Sequence, residues 1–101
     1  MVAKIRTIAV RPEQIEQGIG YLRNTMLPAA RELEGFRGMI GLLDEESGKA
    51  VTVTLWDTED ALQASEDRGA RLRAKDGAPQ AGATVERYVV SLTEIPEPLT
   101  I

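Results

Sequence analysis

The chain has 101 residues with no cysteine and no histidine, which limits it to one domain and excludes disulfides, thiolate nucleophiles and iron–sulfur clusters. The missing histidine also removes the commonest metal ligand and the usual acid–base group near neutral pH. A net charge of -4 from scattered charges argues against nucleic-acid binding, and no apolar run reaches the roughly 20 residues of a membrane span.

The first third of the chain predicts a strand followed by a long helix. Val2 to Val10 is an imperfect apolar alternation, and Pro12 suits the first position of a helix because the N–H that it lacks would be unpaired there. An apolar stripe then recurs at steps of three and four: Ile15, Ile19, Leu22, Met26, Ala30 and Leu33. Since Pro28 cannot donate a helical hydrogen bond, we expect a kink or a break near Asn24 to Leu27.

The middle of the chain predicts a β-hairpin. Gly35 suits the left-handed position after a helix, and we expect Phe36 to pack back on the helix end. The run Met39 to Leu43 has no polar residue, which predicts a strand covered on both faces. The charged turn Asp44 to Lys49 contains three consecutive acids, which are expected to be solubilising rather than metal ligands.

The third strand separates two sets of side chains. Alternation places Val51, Val53 and Leu55 on one face of the sheet, and Thr52, Thr54 and Trp56 on the other. Asp57 or Thr58 can cap the helix that follows. That helix has a thin apolar stripe, so we expect it to rest lightly on the sheet and to leave space beneath it; the stripe consists of Leu62, Ser65, Gly69 and Leu72.

The last part of the chain predicts a loop, a strand and a tail. Asp76 to Ala83 is rich in glycine and alanine and predicts a mobile loop, and Thr84 to Thr93 predicts the final strand. Residues 1–93 are therefore expected to form the single domain. The tail 94–101 contains two prolines and three aliphatic residues, and we expect it to lie against a neighbouring subunit.

This order of elements predicts an α+β fold of the ferredoxin-like βαββαβ type. Right-handed crossovers give a four-stranded antiparallel sheet with both helices on one face. The other face would expose apolar side chains, each of which contributes roughly 1.5–3 kcal/mol when it is buried. We therefore expect a homodimer in which two sheets pack face to face.

Four segments carry a resemblance to a known family. They are Gly35-Phe36-Arg37-Gly38, the acidic hairpin turn Asp44 to Lys49, the run Val53 to Leu62 and the earlier run Tyr21 to Ala29. Together they resemble the antibiotic biosynthesis monooxygenase-like family of the dimeric α+β barrel superfamily. The resemblance implies that Trp56 points into a pocket between the sheet and the helices. Thr52 and Thr54 would share this pocket, and the dimer partner would be met by Val51, Val53 and Leu55.

The resembled family has several functions, and the residues of this chain distinguish between them. Its members include quinone-forming monooxygenases, haem-degrading enzymes and small proteins with no assigned reaction. The haem-degrading relatives use an asparagine on the first strand and a histidine on the second helix. This chain has Arg6 at the asparagine position and no histidine, which predicts that it does not degrade haem.

The predicted function is binding of a small apolar or aromatic metabolite by a cytoplasmic homodimer, without a cofactor, a metal, a nucleic acid or a membrane. The candidate ligand-contacting residues are Thr52, Thr54, Trp56, Tyr88 and Phe36. The alternative is a cofactor-independent monooxygenase, in which a deprotonated phenolic or polycyclic substrate passes an electron to oxygen. Arg6 would then stabilise the anion, and Trp56 would stack on the ring.

Two further alternatives stay open. An isomerase or cyclase of the same superfamily would need an Asp or Glu in the pocket as its base, because the chain has no histidine. The candidate residues can also be purely structural. Trp56 would then be a core aromatic, Arg6 would extend to solvent, and Tyr88 would fill the barrel.

Overall fold

Four antiparallel strands form the sheet of the computed structural model, which describes residues 1–76 and 83–96. The strands are β1 (Val2–Ala9), β2 (Phe36–Asp44), β3 (Lys49–Trp56) and β4 (Thr84–Val89). Their order is β2-β3-β1-β4, so β1 and β3 are central and β2 and β4 are edges. The predicted ferredoxin-like α+β fold is confirmed.

The helical run between β1 and β2 is interrupted once. It consists of a 3₁₀ turn (Pro12–Gln14), α1 (Ile15–Tyr21), a π-helical turn (Leu22–Met26) and α2 (Leu27–Arg31). In the π-helical turn the Leu27 N–H donates to the carbonyl of Leu22, five residues back. Pro28 lies in the first turn of α2, where its missing N–H costs least. The break predicted between residues 24 and 27 therefore falls at the end of this turn.

The second helix, α3 (Glu59–Asp76), begins at a hydroxyl cap and covers the sheet with small residues. The Thr58 Oγ1 accepts a hydrogen bond of 3.1 Å from the Ala61 N–H. Leu62, Ser65 and Gly69 are buried, which confirms the thin stripe predicted from the sequence. Only the first of these three has a large side chain, so α3 fills little of the space above the sheet.

The hydrophobic core lies at one end of the helix-covered face. Its buried members are Val2, Ala30, Trp56 and Leu62, and the last two are 1% and 0% exposed. The edge of one ring faces the other in the pair of Phe36 and Trp56, whose centroids are 5.3 Å apart. Phe36, expected to pack back on the helix end, packs against this cluster, which includes Ala30 of α2, and its ring partner is the tryptophan.

Two strand predictions need correction. The run Met39 to Leu43 was expected to be covered on both faces, but it belongs to an edge strand. Within the chain Leu42 is 53% exposed and Leu43, on the opposite face, is 38% exposed. The final strand ends at Val89 rather than Thr93, although the Val90 N–H still donates to the Met1 carbonyl.

Two other predictions lie largely outside the described residues. The loop predicted from Asp76 to Ala83 falls mostly on residues 77–82, and α3 itself continues to Asp76. Of the predicted tail, residues 97–101 are outside the described part of the chain. The described Ile95 is 54% exposed. Packing of the tail on a partner therefore stays a prediction.

Gly35 holds together the corner where β2, β3 and α3 meet. Its φ is +86°, which is the left-handed region. Its carbonyl accepts a 2.8 Å hydrogen bond from the Asp57 N–H. A Cβ at this position would lie 2.8 Å from the Cβ of Ala61. The corner thus requires glycine both for its backbone conformation and for space.

We predict that Gly35→Ala lowers the free energy of unfolding by about 2 kcal/mol or more, because left-handed strain alone costs about 1–2 kcal/mol. Gly18→Ala is the matched control, since it lies in α1 with nothing within 4 Å of an added Cβ. It should raise stability by about 0.5–1 kcal/mol. Urea unfolding of both variants checks this, and equal effects would contradict the account of the corner.

Candidate functional site

The sheet has one face under the helices and one open face. Trp56 and Thr54 lie under the helices, 1% and 6% exposed, and Thr52 shares their face by alternation. The other row consists of Val51, Val53 and Leu55, which are half-buried on the open face. Alternation alone does not say which of the two rows lies under the helices. The structure shows that it is the row with Trp56.

A small inner cavity lies beside the tryptophan. Its volume is about 40 Å³, and its lining includes Thr54, Trp56, Met26, Met39 and Gly69. Within the described residues, the Thr54 Oγ1 and the Trp56 Nε1 are buried without a hydrogen-bond partner. One water occupies about 30 Å³, so the cavity accepts a water-sized group and no aromatic ring. Stacking of a ligand ring on Trp56 is not available in this conformation.

A larger outer chamber lies further along β1, between the sheet and α3. Its volume is about 310 Å³, near the lower end for sites that bind small molecules. The lining residues are Lys4, Arg6, Glu66, Asp67, Ala70, Arg73 and Val85. Lys4 also lines the inner cavity, so its side chain lies where the two spaces meet.

Burial changes the acid–base behaviour of Lys4. The pKa of its ammonium group is lowered from 10.5 to about 8; desolvation is the largest cause, Arg73, Arg6 and Arg87 also lower it, and Glu66 opposes them. The Nζ donates to the Ser65 Oγ at 3.4 Å. That hydroxyl donates in turn to the Leu62 carbonyl at 2.6 Å. Lys4 is therefore a cation that can lose its proton close to neutral pH.

The two acids of the chamber already have partners. The Glu66 carboxylate accepts a hydrogen bond from the Arg87 guanidinium. The Asp67 carboxylate accepts one from the Gln63 side chain at 3.2 Å. Burial lowers the pKa of Arg6, and so does the charge of Arg73. The lining therefore combines three cations with two carboxylates, and the charges of Lys4, Arg6 and Arg73 oppose one another.

The structure does not bring the two predicted catalytic residues together. Trp56 is opposite Val2 and Thr52 is opposite Arg6, so Arg6 and Trp56 are separated by four strand residues, about 13 Å. Arg6 lines the outer chamber, whereas Trp56 lines the inner cavity.

Tyr88 and Phe36 are not at the chamber either. Tyr88 is opposite Ala3 on the open face, 51% exposed, and its hydroxyl donates to Glu86 at 2.6 Å. The prediction that Tyr88 contacts a ligand between the sheet and the helices is therefore wrong. Phe36 packs at the edge of Trp56 within the core.

Sequence reasoning missed Lys4 and Arg73. A signal for Lys4 was present, because alternation along β1 places Val2, Lys4 and Arg6 on one face. The positions of Ala70 and Arg73 on α3 are three residues apart and therefore share a helix face. What the sequence could not supply was the depth of Lys4 beneath a helix that contacts the sheet through Ser65 and Gly69.

The described residues contain neither a candidate metal site nor a candidate membrane-spanning helix. No group of three or more acidic residues is placed to hold a metal ion. No helix in the described ranges 1–76 and 83–96 is long and apolar enough to cross a membrane.

Relatives with similar sequences occur in Mycobacterium tuberculosis. The uncharacterized protein Rv2558 is 33% identical over 91 residues, which cover 89% of this chain and 39% of that protein. The uncharacterized protein Rv2557 is 31% identical over 71 residues, which cover 70% of this chain and 32% of that protein. The chain thus spans less than half the length of these curated relatives. No protein-family model matches it.

Several solved structures share the fold. The monooxygenase ActVA-Orf6 of Streptomyces coelicolor, in complex with nanaomycin D, superposes with a TM-score of 0.73 at 17% identity, over 95% of this chain and 92% of that one. SnoaB, a cofactor-independent oxygenase of Streptomyces nogalater, gives 0.69 at 16% identity, over 95% and 97%. MhuD with manganese protoporphyrin IX gives 0.76 at 22% identity, over 93% and 98%.

We predict that Lys4→Met raises the free energy of unfolding at pH 7 by about 1–3 kcal/mol, because it removes a buried charge. The sign with pH follows from linkage. The native pKa is about 8 and the ordinary one 10.5, so the unfolded chain holds more protons in this window and wild-type stability rises with pH there. The advantage of the variant should shrink between pH 8 and 10.5.

Lys49→Met is the matched control, because Lys49 is exposed on β3. Its effect on stability should be small, because it removes no buried charge. Urea unfolding at several pH values measures both variants. A Lys4→Met effect that is independent of pH would contradict the burial of a titrating ammonium group.

Proposed function

We infer that this chain, whose fold is that of the antibiotic biosynthesis monooxygenase-like proteins, binds a small aromatic molecule in its outer chamber. The molecule carries an acidic oxygen. The observation that carries this proposal is the lining of that chamber. Three cations, Lys4, Arg6 and Arg73, outnumber the two acids, Glu66 and Asp67, in the lining of a space of about 310 Å³. Its apolar walls are formed by Ala70 and Val85.

The chemistry of the lining favours an anion over the uncharged ligand first expected from the sequence. Arginine guanidinium groups bind carboxylate and phenolate oxygens through charge-assisted hydrogen bonds. Burial is the main cause that lowers the pKa values of Lys4 and Arg6, and the charge of Arg73 lowers both as well. A bound anion would oppose both effects. The volume favours one or two fused rings rather than a larger system.

Cofactor-independent oxygenation is the second candidate. It is favoured by the fold, which is shared with ActVA-Orf6 and SnoaB, and by the water-sized inner cavity next to the chamber. A deprotonated aromatic substrate in the chamber would supply the electron, and the inner cavity would admit oxygen. Oxygen uptake with anthrone would distinguish this activity from binding alone. An isomerase or cyclase would have to use Glu66 or Asp67 of the chamber lining as its base, and both carboxylates already accept hydrogen bonds from other side chains.

We also propose that the open face of the sheet is a homodimer interface. Its central row is Val51, Val53 and Leu55, and the neighbouring Ile40 and Leu42 on β2 are 36% and 53% exposed. Burying such side chains against a second copy contributes roughly 1.5–3 kcal/mol each. A partner would also supply the cover that β2 lacks within the chain.

We predict that naphthoate raises the melting temperature and that naphthalene, which has no charge, does not. Arg73→Gln should weaken naphthoate binding about 10- to 100-fold, since a hydrogen bond to a charged group contributes about 1.5–3 kcal/mol. Arg71→Gln is the matched control because Arg71 is exposed on the same helix. Isothermal titration calorimetry measures each affinity. Equal binding of both compounds would overturn the anion assignment.

We predict a dimer at micromolar concentration in multi-angle light scattering. Val53→Asp should produce the monomer mass, because it would bury a carboxylate between two sheets. Val89→Asp is the control: Val89 is 78% exposed and lies opposite Val2, on the other face. A wild-type peak at the monomer mass would refute the proposed interface.

A further inference from the structure

The Lys4 amine lies where the two spaces between the sheet and α3 meet. It lies between the outer chamber, which has room for a ring, and the inner cavity. The Ser65 hydroxyl that accepts its hydrogen bond is itself fixed by the Leu62 carbonyl. The amine is therefore held in place by the packing of α3 on β1.

Charged groups surround Lys4 on three of the elements packed around it. On α3 they are Glu66, Asp67, Arg68 and Arg73; on β1, Arg6; and on β4, Arg87. The facing residues of β2 and β3, Met39 and Thr54, are neutral.

The acids in this set already accept hydrogen bonds from other side chains. The Glu66 carboxylate is hydrogen-bonded to a guanidinium, and the Asp67 carboxylate to an amide N–H. The arginines are always protonated. Lys4 is the group in this set whose neutral form is populated near pH 8.

We propose that Lys4 accepts the proton of an aromatic hydroxyl bound in the outer chamber, and that Arg6 and Arg73 hold the phenolate that results. The O–H bond breaks, its electron pair stays on the oxygen, and the proton forms a new N–H bond at Nζ. No oxidant or reductant is needed for this step. The inference rests on the proposed function and specifies the ligand as a phenol or naphthol.

The proposal also answers a chemical difficulty of the oxygenase candidate. Such a substrate must lose a proton before it can reduce oxygen, and the chain has no histidine to take it. A lysine becomes a general base when its pKa lies near the working pH. The positive charge that Lys4 gains would then remain beside the phenolate.

The pH dependence of naphthol binding provides the test. Binding as an ammonium–phenolate pair requires protonated Lys4 and ionised naphthol, whose pKa is about 10, as for the tyrosine phenol. The affinity should therefore rise about tenfold per pH unit up to pH 8, stay constant to about pH 10 and fall above it. Methoxynaphthalene, which has no proton to give, should show no such profile.

Two variants separate charge from proton acceptance. Lys4→Arg keeps a positive charge that does not titrate in this range, and Lys4→Met removes both properties. In both variants the rise in naphthol affinity should continue past pH 8 to about pH 10. Calorimetry measures the affinities, circular dichroism verifies the fold at each pH, and the absorption band of bound naphtholate at pH 8 reports the proton transfer directly.

The outcomes are distinguishable. A wild-type break at pH 8 that is absent from both variants supports the proposal. A wild-type profile that rises to pH 10 like the variants overturns the role of Lys4 and leaves the binding function standing. An absorption spectrum that shows bound naphthol as the neutral phenol would also overturn the role of Lys4 and leave the binding function standing. If neither naphthol nor naphthoate binds, the proposed function fails and this inference fails with it.

Discussion

The structure depends on how α3 covers the sheet. At its N-terminal end the helix packs fully, with Leu62 against Trp56, and both side chains are almost inaccessible. Further along, Ser65 and Gly69 face the sheet and contribute little volume. The same helix therefore closes the core at one end and leaves the outer chamber open at the other.

The outer chamber contains a lysine beneath a helix, and burial there changes its acidity. Alternation along β1 places Lys4 on the covered face of the sheet, where desolvation destabilises its ammonium form. An apolar residue at this position would fill the space at no such cost. A buried lysine with a shifted pKa in a cleft is a candidate functional group, whereas Trp56 has the packing expected of a core aromatic.

The fold was predictable because its signals are local and mutually consistent. Alternation in β3, the cap at Thr58 and the glycine after the first helix all agree with one arrangement of strands and helices, and the fold of the resembled family is confirmed. The site was less predictable. Trp56 and Arg6 were chosen by residue type, and only the strand register shows that they are about 13 Å apart.

Two features required the three-dimensional structure for physical reasons. Tyr88 has a residue type suited to a pocket, but its face of the sheet depends on how β4 pairs with β1. The acidity of Lys4 depends on burial and on Arg73, which is distant in sequence. No pattern within β1 alone contains that information.

The most direct test of the account is the pKa of Lys4 in the free protein, measured by NMR from the shifts of its side-chain nuclei against pH. The account predicts a titration midpoint near 8, as a consequence of burial beneath α3. The urea-unfolded protein provides the reference, with the ordinary value for lysine, about 10.4. A Lys4 midpoint equal to that of the unfolded chain would contradict the account.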